Sequence, residues 1–138
     1  MKESNFKECF DNNAARKTAV DKKRAKSLIE TSEERINLIS EINQKNCNFV
    51  FEDYYTSLLE LLQASAFLNG FNISNHICLG FYVRDFLKRE DLFRLFDDLR
   101  YKRNSLTYYG IKMEEKIALQ AIDNCKRMIN EIKKIITN

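Results

Sequence analysis

The chain has 138 residues, 44% of them hydrophobic, with 23 basic and 20 acidic residues and a formal net charge of +3. That size and apolar content suit one domain with one sizeable core and exclude a disordered tail. The charges are largely interspersed, which permits nucleic-acid binding without arguing for it, and no apolar run reaches membrane-spanning length, so a soluble protein is expected.

Zero prolines and three glycines leave few places to interrupt a helix, so an all-α class of long helices joined by short connections is expected. Residues 1–13 are polar apart from Phe6, Cys9 and Phe10, an i, i+3, i+4 patch that either docks as a short turn or stays loose as an arm. The remaining residues, 14–138, read as one helical domain. A first long helix is expected over 14–42, where Val20, Leu28, Ile36, Ile39 and Ile42 recur at helical intervals. Its beginning is basic: Arg16, Lys17, Lys22, Lys23, Arg24 and Lys26 are relieved only by Asp21. Such a run is either a solvated helix face or a footprint for RNA.

The segment NQKNCN at 43–48 is a turn, with Asn48 placed to cap the next helix. That helix, over 49–69, is apolar around much of its circumference through Phe51, Tyr54, Tyr55, Leu58, Leu59, Leu61, Leu62 and Phe67, as expected of a central or interface helix. Gly70 ends it. Ser74 is placed to cap a shorter helix over 75–87, with His76, the one histidine of the chain, in its first turn. There the helix N-terminus favours a neutral imidazole. A last amphipathic helix is expected over 113–136. Cys9, Cys47, Cys78 and Cys125 are dispersed with no C-x-x-C pair and no signal-like segment precedes them, so unpaired cysteines in a reducing cytoplasm are expected.

The most informative stretch is residues 91–110, DLFRLFDDLRYKRNSLTYYG. Leu92, Phe96, Leu99 and Leu106 share one helical face, and Arg103 lies on that face too. An arginine there is always charged and costly to desolvate, so it needs a partner. The structural reading pairs it with a carboxylate on a neighbouring helix, for which Glu60, a lone acid in an apolar segment, is the natural candidate, or lets it reach solvent past the core. The functional reading groups Arg100, Arg103, Asn104 and Tyr108 on one side of the helix as a cluster suited to a phosphate or another polyoxyanion. Tyr108 and Tyr109 are otherwise amphipathic filler before a stop at Gly110.

The order of elements, with SAFLNGFNISNHICLGFYVRDF after the apolar helix and LRYKRNSLTYYG in the penultimate one, resembles the HEPN family of small helical proteins over about residues 26–136. The resemblance implies an up-and-down bundle of four to five helices, a homodimer whose motif helices flank a shared cleft, and no cofactor. Many members are metal-independent ribonucleases, often toxins paired with a small nucleotidyltransferase-like antitoxin; others are non-catalytic binding modules. Carried over, Arg103 and Asn104 match the family's arginine-polar dipeptide, but Tyr108 stands where a histidine is expected. The resemblance therefore makes Arg103 the phosphate clamp, with Asn104 beside it and Tyr108 or His76 moving a proton, and Glu60 as the partner of Arg103. Arg100, Lys102 and Tyr109 are the expected contacts to RNA or a nucleotide.

Three functions follow: a HEPN-like toxin or ribonuclease, a non-catalytic dimeric module binding a partner protein or nucleotide, and a structural role in which Arg103 and Glu60 form a buried pair setting helix register. There is no P-loop, no G-x-G-x-x-G, no H-E-x-x-H and no Ser-His-Asp spacing. One histidine and scattered cysteines give no set of metal ligands.

Overall fold

The apolar circumference expected of residues 49–69 makes them the centre of the bundle. A computed structural model describes residues 2–137. Its long helices are α2 (Lys22–Asn37), α3 (Cys47–Leu68), α5 (Glu90–Tyr109) and α6 (Glu115–Thr137), with short α1 (Phe6–Cys9) and α4 (His76–Phe81). The fold is an all-α bundle, with one two-stranded antiparallel sheet, β1 (Ala15–Lys17) against β2 (Phe71–Ile73), at its edge. Both α2 and α6 pack along α3. Phe51, Tyr55, Leu58, Leu61 and Leu62 of α3 are fully buried, and each such side chain contributes about 1.5–3 kcal/mol through the surface it removes from water. The helix α6 meets them with Ala118, Ala121, Ile122, Cys125, Met128, Ile129 and Ile132, spaced at the three- and four-residue steps of one face.

The first long helix is shorter than the periodicity predicts. It starts only at Lys22, where the Asp21 carboxylate accepts from the Arg24 amide at 2.9 Å, an N-cap. Before it, the chain is extended: Ala15 opposes Ile73 and both are buried. The Thr18 amide then donates to the Gly70 carbonyl at 2.8 Å. Gly70 has φ +79°, and a Cβ there would lie 3.0 Å from the Thr18 oxygen, so glycine is needed both for the turn out of α3 and for this close approach. Tertiary pairing overrides helix propensity at residues 15–17 because β2 presents unpaired backbone groups that a helix would leave unanswered.

Two capping assignments move by one or two positions. Asn46, not Asn48, precedes α3. The buried Asn48 side chain instead clamps the α5–α6 connection, donating to the Met113 carbonyl at 3.0 Å and accepting from the Met113 amide at 2.9 Å. Likewise Asn75, not Ser74, caps α4, accepting from the Cys78 amide at 2.8 Å, while Ser74 bonds the Ala14 carbonyl through its backbone amide at 2.8 Å and its hydroxyl at 3.1 Å. After α4 the helix widens into a π-turn over Tyr82–Phe86, which stacks Tyr82 on Phe86 with centroids 5.4 Å apart.

The N-terminal patch docks. Phe6 is buried and meets Phe10, Phe71 and Tyr82 edge-on at 5.0, 5.3 and 5.7 Å. Beside it, Cys9 and Cys78 are joined in a disulfide across 69 residues of chain, which corrects the expectation that all four cysteines are unpaired. Their sequence separation hid a proximity that only the docking of α1 on α4 creates. Cys47 and Cys125 are free and buried, and burial pushes the Cys125 thiol up to about 12. Among the described residues no helix is long and apolar enough to cross a membrane.

Candidate functional site

The apolar stripe read from residues 91–110 is the buried face of α5: Leu92, Phe96, Leu99 and Leu106 are its buried residues. Arg103 sits on the same side, about two turns before the helix ends at Gly110, whose φ of +66° lets its amide cap the Leu106 carbonyl. The guanidinium carbon lies 5.9 Å from the centroid of the Tyr55 ring and 5.5 Å from that of Tyr108. Nη1 reaches Asn104 Oδ1 and the Tyr108 hydroxyl at 3.5 Å each, long contacts that orient the group more than they neutralise it. Among the described residues no carboxylate comes within ion-pair distance of Arg103.

Its neighbours on α5 differ. Arg100 pairs with Asp97 at 2.8 Å and Lys102 with Asp98, so the four-residue cluster expected from the sequence divides. Arg103, Asn104 and Tyr108 stand together, while Arg100 is turned to its own carboxylate. Glu60 does not meet Arg103. Two N–H groups of Arg35 donate to the two Glu60 oxygens at 3.0 Å each, which corrects the expected pairing. Glu60 faces α2 across the bundle, and helical periodicity cannot say which neighbour a face will meet.

His76 opens α4 and faces α3. Its Nδ1 is 3.3 Å from the Tyr55 hydroxyl, with ring centroids 5.8 Å apart. Tyr55 is fully buried and its ring stacks on Phe96 at 5.9 Å and 8°. Burial lowers the His76 pKa first, and the nearby Arg103 and Arg100 charges lower it further. Burial raises that of Tyr55, with the same two arginines opposing. Burial and the two arginines thus favour the neutral form of His76, and burial favours the neutral phenol of Tyr55. Tyr55 was legible only as a core residue. The signal that could have found it is that a tyrosine deep in an apolar helix must still place its hydroxyl.

Tyr108 and Tyr109 are 67% and 77% exposed and Ile111 is 61% exposed, so the rim beside Arg103 is aromatic and open to solvent. The Thr107 hydroxyl donates to Glu52 Oε2 at 3.1 Å, tying this end of α5 to α3. The basic run lies elsewhere: Arg16 and Lys17 on β1 and Lys22, Lys23, Arg24 and Lys26 on α2 are all exposed, and the Arg24 guanidinium rests 4.4 Å from the Phe67 ring centroid. Among the described residues no three His, Cys, Asp or Glu side chains gather in a way that would hold a metal ion.

The arrangement offers a guanidinium without a carboxylate, in contact with an amide and a phenol, and beside a buried tyrosine ring whose hydroxyl meets a neutral imidazole. Those groups can donate several hydrogen bonds to an oxyanion, and a planar guanidinium suits two oxygens of one phosphate. Comparison with protein-family models, with curated proteins and with solved structures finds no match to this chain.

Proposed function

We propose that this is a HEPN-like protein that binds RNA through a phosphate held by Arg103, and that it acts as the toxin or ribonuclease component of a two-gene system with a nucleotidyltransferase-like antitoxin. One observation carries the reading: Arg103 is the α5 cation placed among Asn104, Tyr108 and the His76–Tyr55 pair with no carboxylate of its own. Arg100 and Lys102, a turn or less away, are each neutralised within the helix. A charge left over in such surroundings is poised for an external anion. In cleavage, Arg103 would stabilise charge developing on the scissile phosphate, with a proton moved at Tyr108 or His76. The exposed Tyr108, Tyr109 and Ile111 beside the site support a homodimer in which a second copy covers this rim.

A second reading, a non-catalytic module that holds RNA, a nucleotide or a partner protein, is favoured by a specific observation. The residue at the motif's histidine position is Tyr108, and a phenol, ordinarily titrating near 10, is a poor general base at neutral pH. The test is incubation of a mixed RNA pool with purified protein in chelator, comparing wild type with Arg103→Ala and His76→Ala, alongside RNA binding by the same proteins. Cleavage lost in a folded Arg103→Ala protein supports the ribonuclease. Binding without cleavage, lost in the same variant, supports the module. RNA bound equally by wild type and Arg103→Ala would refute the ribonuclease and an RNA-holding module alike.

A further inference from the structure

Tyr55 and His76 come from α3 and α4, and the way they meet decides where the imidazole carries its proton. The Tyr55 side chain is fully buried, and among the described residues its hydroxyl makes one hydrogen bond, to His76 Nδ1 at 3.3 Å. A buried O–H that donates to nothing is strongly disfavoured, whereas an oxygen with an unused lone pair is a milder loss. Were Nδ1 protonated and donating to the tyrosine oxygen, the tyrosine proton would have no acceptor. The hydroxyl therefore donates, Nδ1 accepts, and the proton of the neutral ring belongs on Nε2.

Every charged group acting on the ring opposes a second proton. Arg100 and Arg103 face it from α5, Tyr55 faces it from α3, and no carboxylate is among the groups that act on it. Asp97, on the same helix as the two arginines, is engaged by Arg100. A charged imidazole would also turn Nδ1 into a donor pointed at a donor. Burial, hydrogen bonding and the two arginines agree.

We infer that Tyr55 is a positioning residue that holds His76 as a neutral Nε2–H donor, so that an oxyanion at Arg103 meets an imidazole N–H together with the guanidinium. The tautomer stands on the Tyr55 contact alone; the oxyanion rests on the reading of Arg103 proposed above. One consequence is chemical. In this tautomer Nε2 has no lone pair to take a proton, so His76 binds rather than acts as a general base, and any base beside Arg103 is Tyr108 or a water. The second consequence is that His76 takes up a second proton at a lower pH than an ordinary histidine.

The chain has one histidine, so nitrogen-15 NMR of the full-length protein reads its ring without ambiguity. The wild type at pH 7 is expected to show a protonated Nε2 and an unprotonated Nδ1. Tyr55→Phe keeps the ring on Phe96 and removes only the hydroxyl; the Nε2–H to Nδ1–H ratio should then fall about fivefold, the effect of losing one ordinary hydrogen bond. A wild-type ring protonated on Nδ1 overturns the inference, even if Tyr55→Phe does not fold. So does a folded Tyr55→Phe protein with an unchanged ratio. Inorganic phosphate titrated into the wild type should move the Nε2–H signal, and less in Arg103→Ala. A correct tautomer with no response to phosphate would remove the oxyanion while leaving the role of Tyr55 intact, which separates failure of this inference from failure of the proposed function.

Discussion

Two regions of the bundle treat their polar groups differently. On the side formed by the N-terminal segment, α2 and the outer face of α3, polar and reactive groups are tied to partners: Arg35 to both oxygens of Glu60, and Cys9 to Cys78. At the C-terminal end of α5, Arg103 and Tyr108 touch each other only at 3.5 Å and lie next to solvent. Arg35 and Arg103 are the instructive pair. Both extend from helices packed near α3, yet one is neutralised bidentately and the other rests on aromatic rings. The first arrangement holds helices together. The second leaves a charge available.

The comparison is tested most severely at the disulfide. Closing a 69-residue loop restricts the unfolded chain by about 4 kcal/mol in the chain-entropy model, so Cys9→Ser should lower unfolding stability by roughly that amount in urea titration under non-reducing conditions. An unchanged midpoint would mean the N-terminal region is not tied down as described. Next is Arg103→Ala, expected to weaken RNA binding by about 10- to 100-fold, the range of a lost charge-assisted hydrogen bond, while unfolding stability moves by no more than about 0.5 kcal/mol. A large loss of stability instead would place Arg103 with the architecture and erase the contrast with Arg35.

Glu60→Gln should cost about 1–2 kcal/mol of stability and leave RNA binding unchanged. The figure is kept small because the Arg35 side chain is 35% exposed and solvent screens the pair. Fluorescence-monitored denaturation and a binding isotherm on the same sample give both numbers. The smallest effect is on acid sensitivity. The folded-state pKa of His76 lies below the ordinary histidine value of about 6.5, so the unfolded chain takes up this proton first. Its contribution to stability is present in full above the unfolded pKa and is lost as pH falls through it toward the folded value. Unfolding free energy should therefore drop less between pH 7 and pH 5 in His76→Gln than in wild type, and equal slopes would mean that the imidazole is not held neutral.

What periodicity could supply was largely local. The buried stripe Leu92, Phe96, Leu99 and Leu106, the stop at Gly110 and the amphipathic face of α6 lie where the spacing puts them, because helical neighbours are three or four residues apart in any context. Arg103, Asn104 and Tyr108 were grouped on the same reasoning and are together. Glu60 was assigned to Arg103 because it was the one acid in an apolar segment. The rule that a charge on a buried face needs a partner held for Glu60, which meets Arg35, and failed for Arg103, which has no carboxylate among the described residues. Extended residues 15–17 were read as helix because the recurrence of Val20, Leu28, Ile36, Ile39 and Ile42 was carried back through them, and the pairing with β2 prevailed.

The composition and the apolar pattern, acting through backbone geometry alone, determined an all-α chain with a central apolar helix and an arginine on the inner side of α5. Tertiary structure decided which groups meet across 21, 25, 65 and 69 residues: Tyr55 with His76, Arg35 with Glu60, Asn48 with Met113, Cys9 with Cys78. Those pairings depend on which faces of separate helices come to rest against one another, and that is settled by the joint burial of the whole core rather than by the spacing within any one helix.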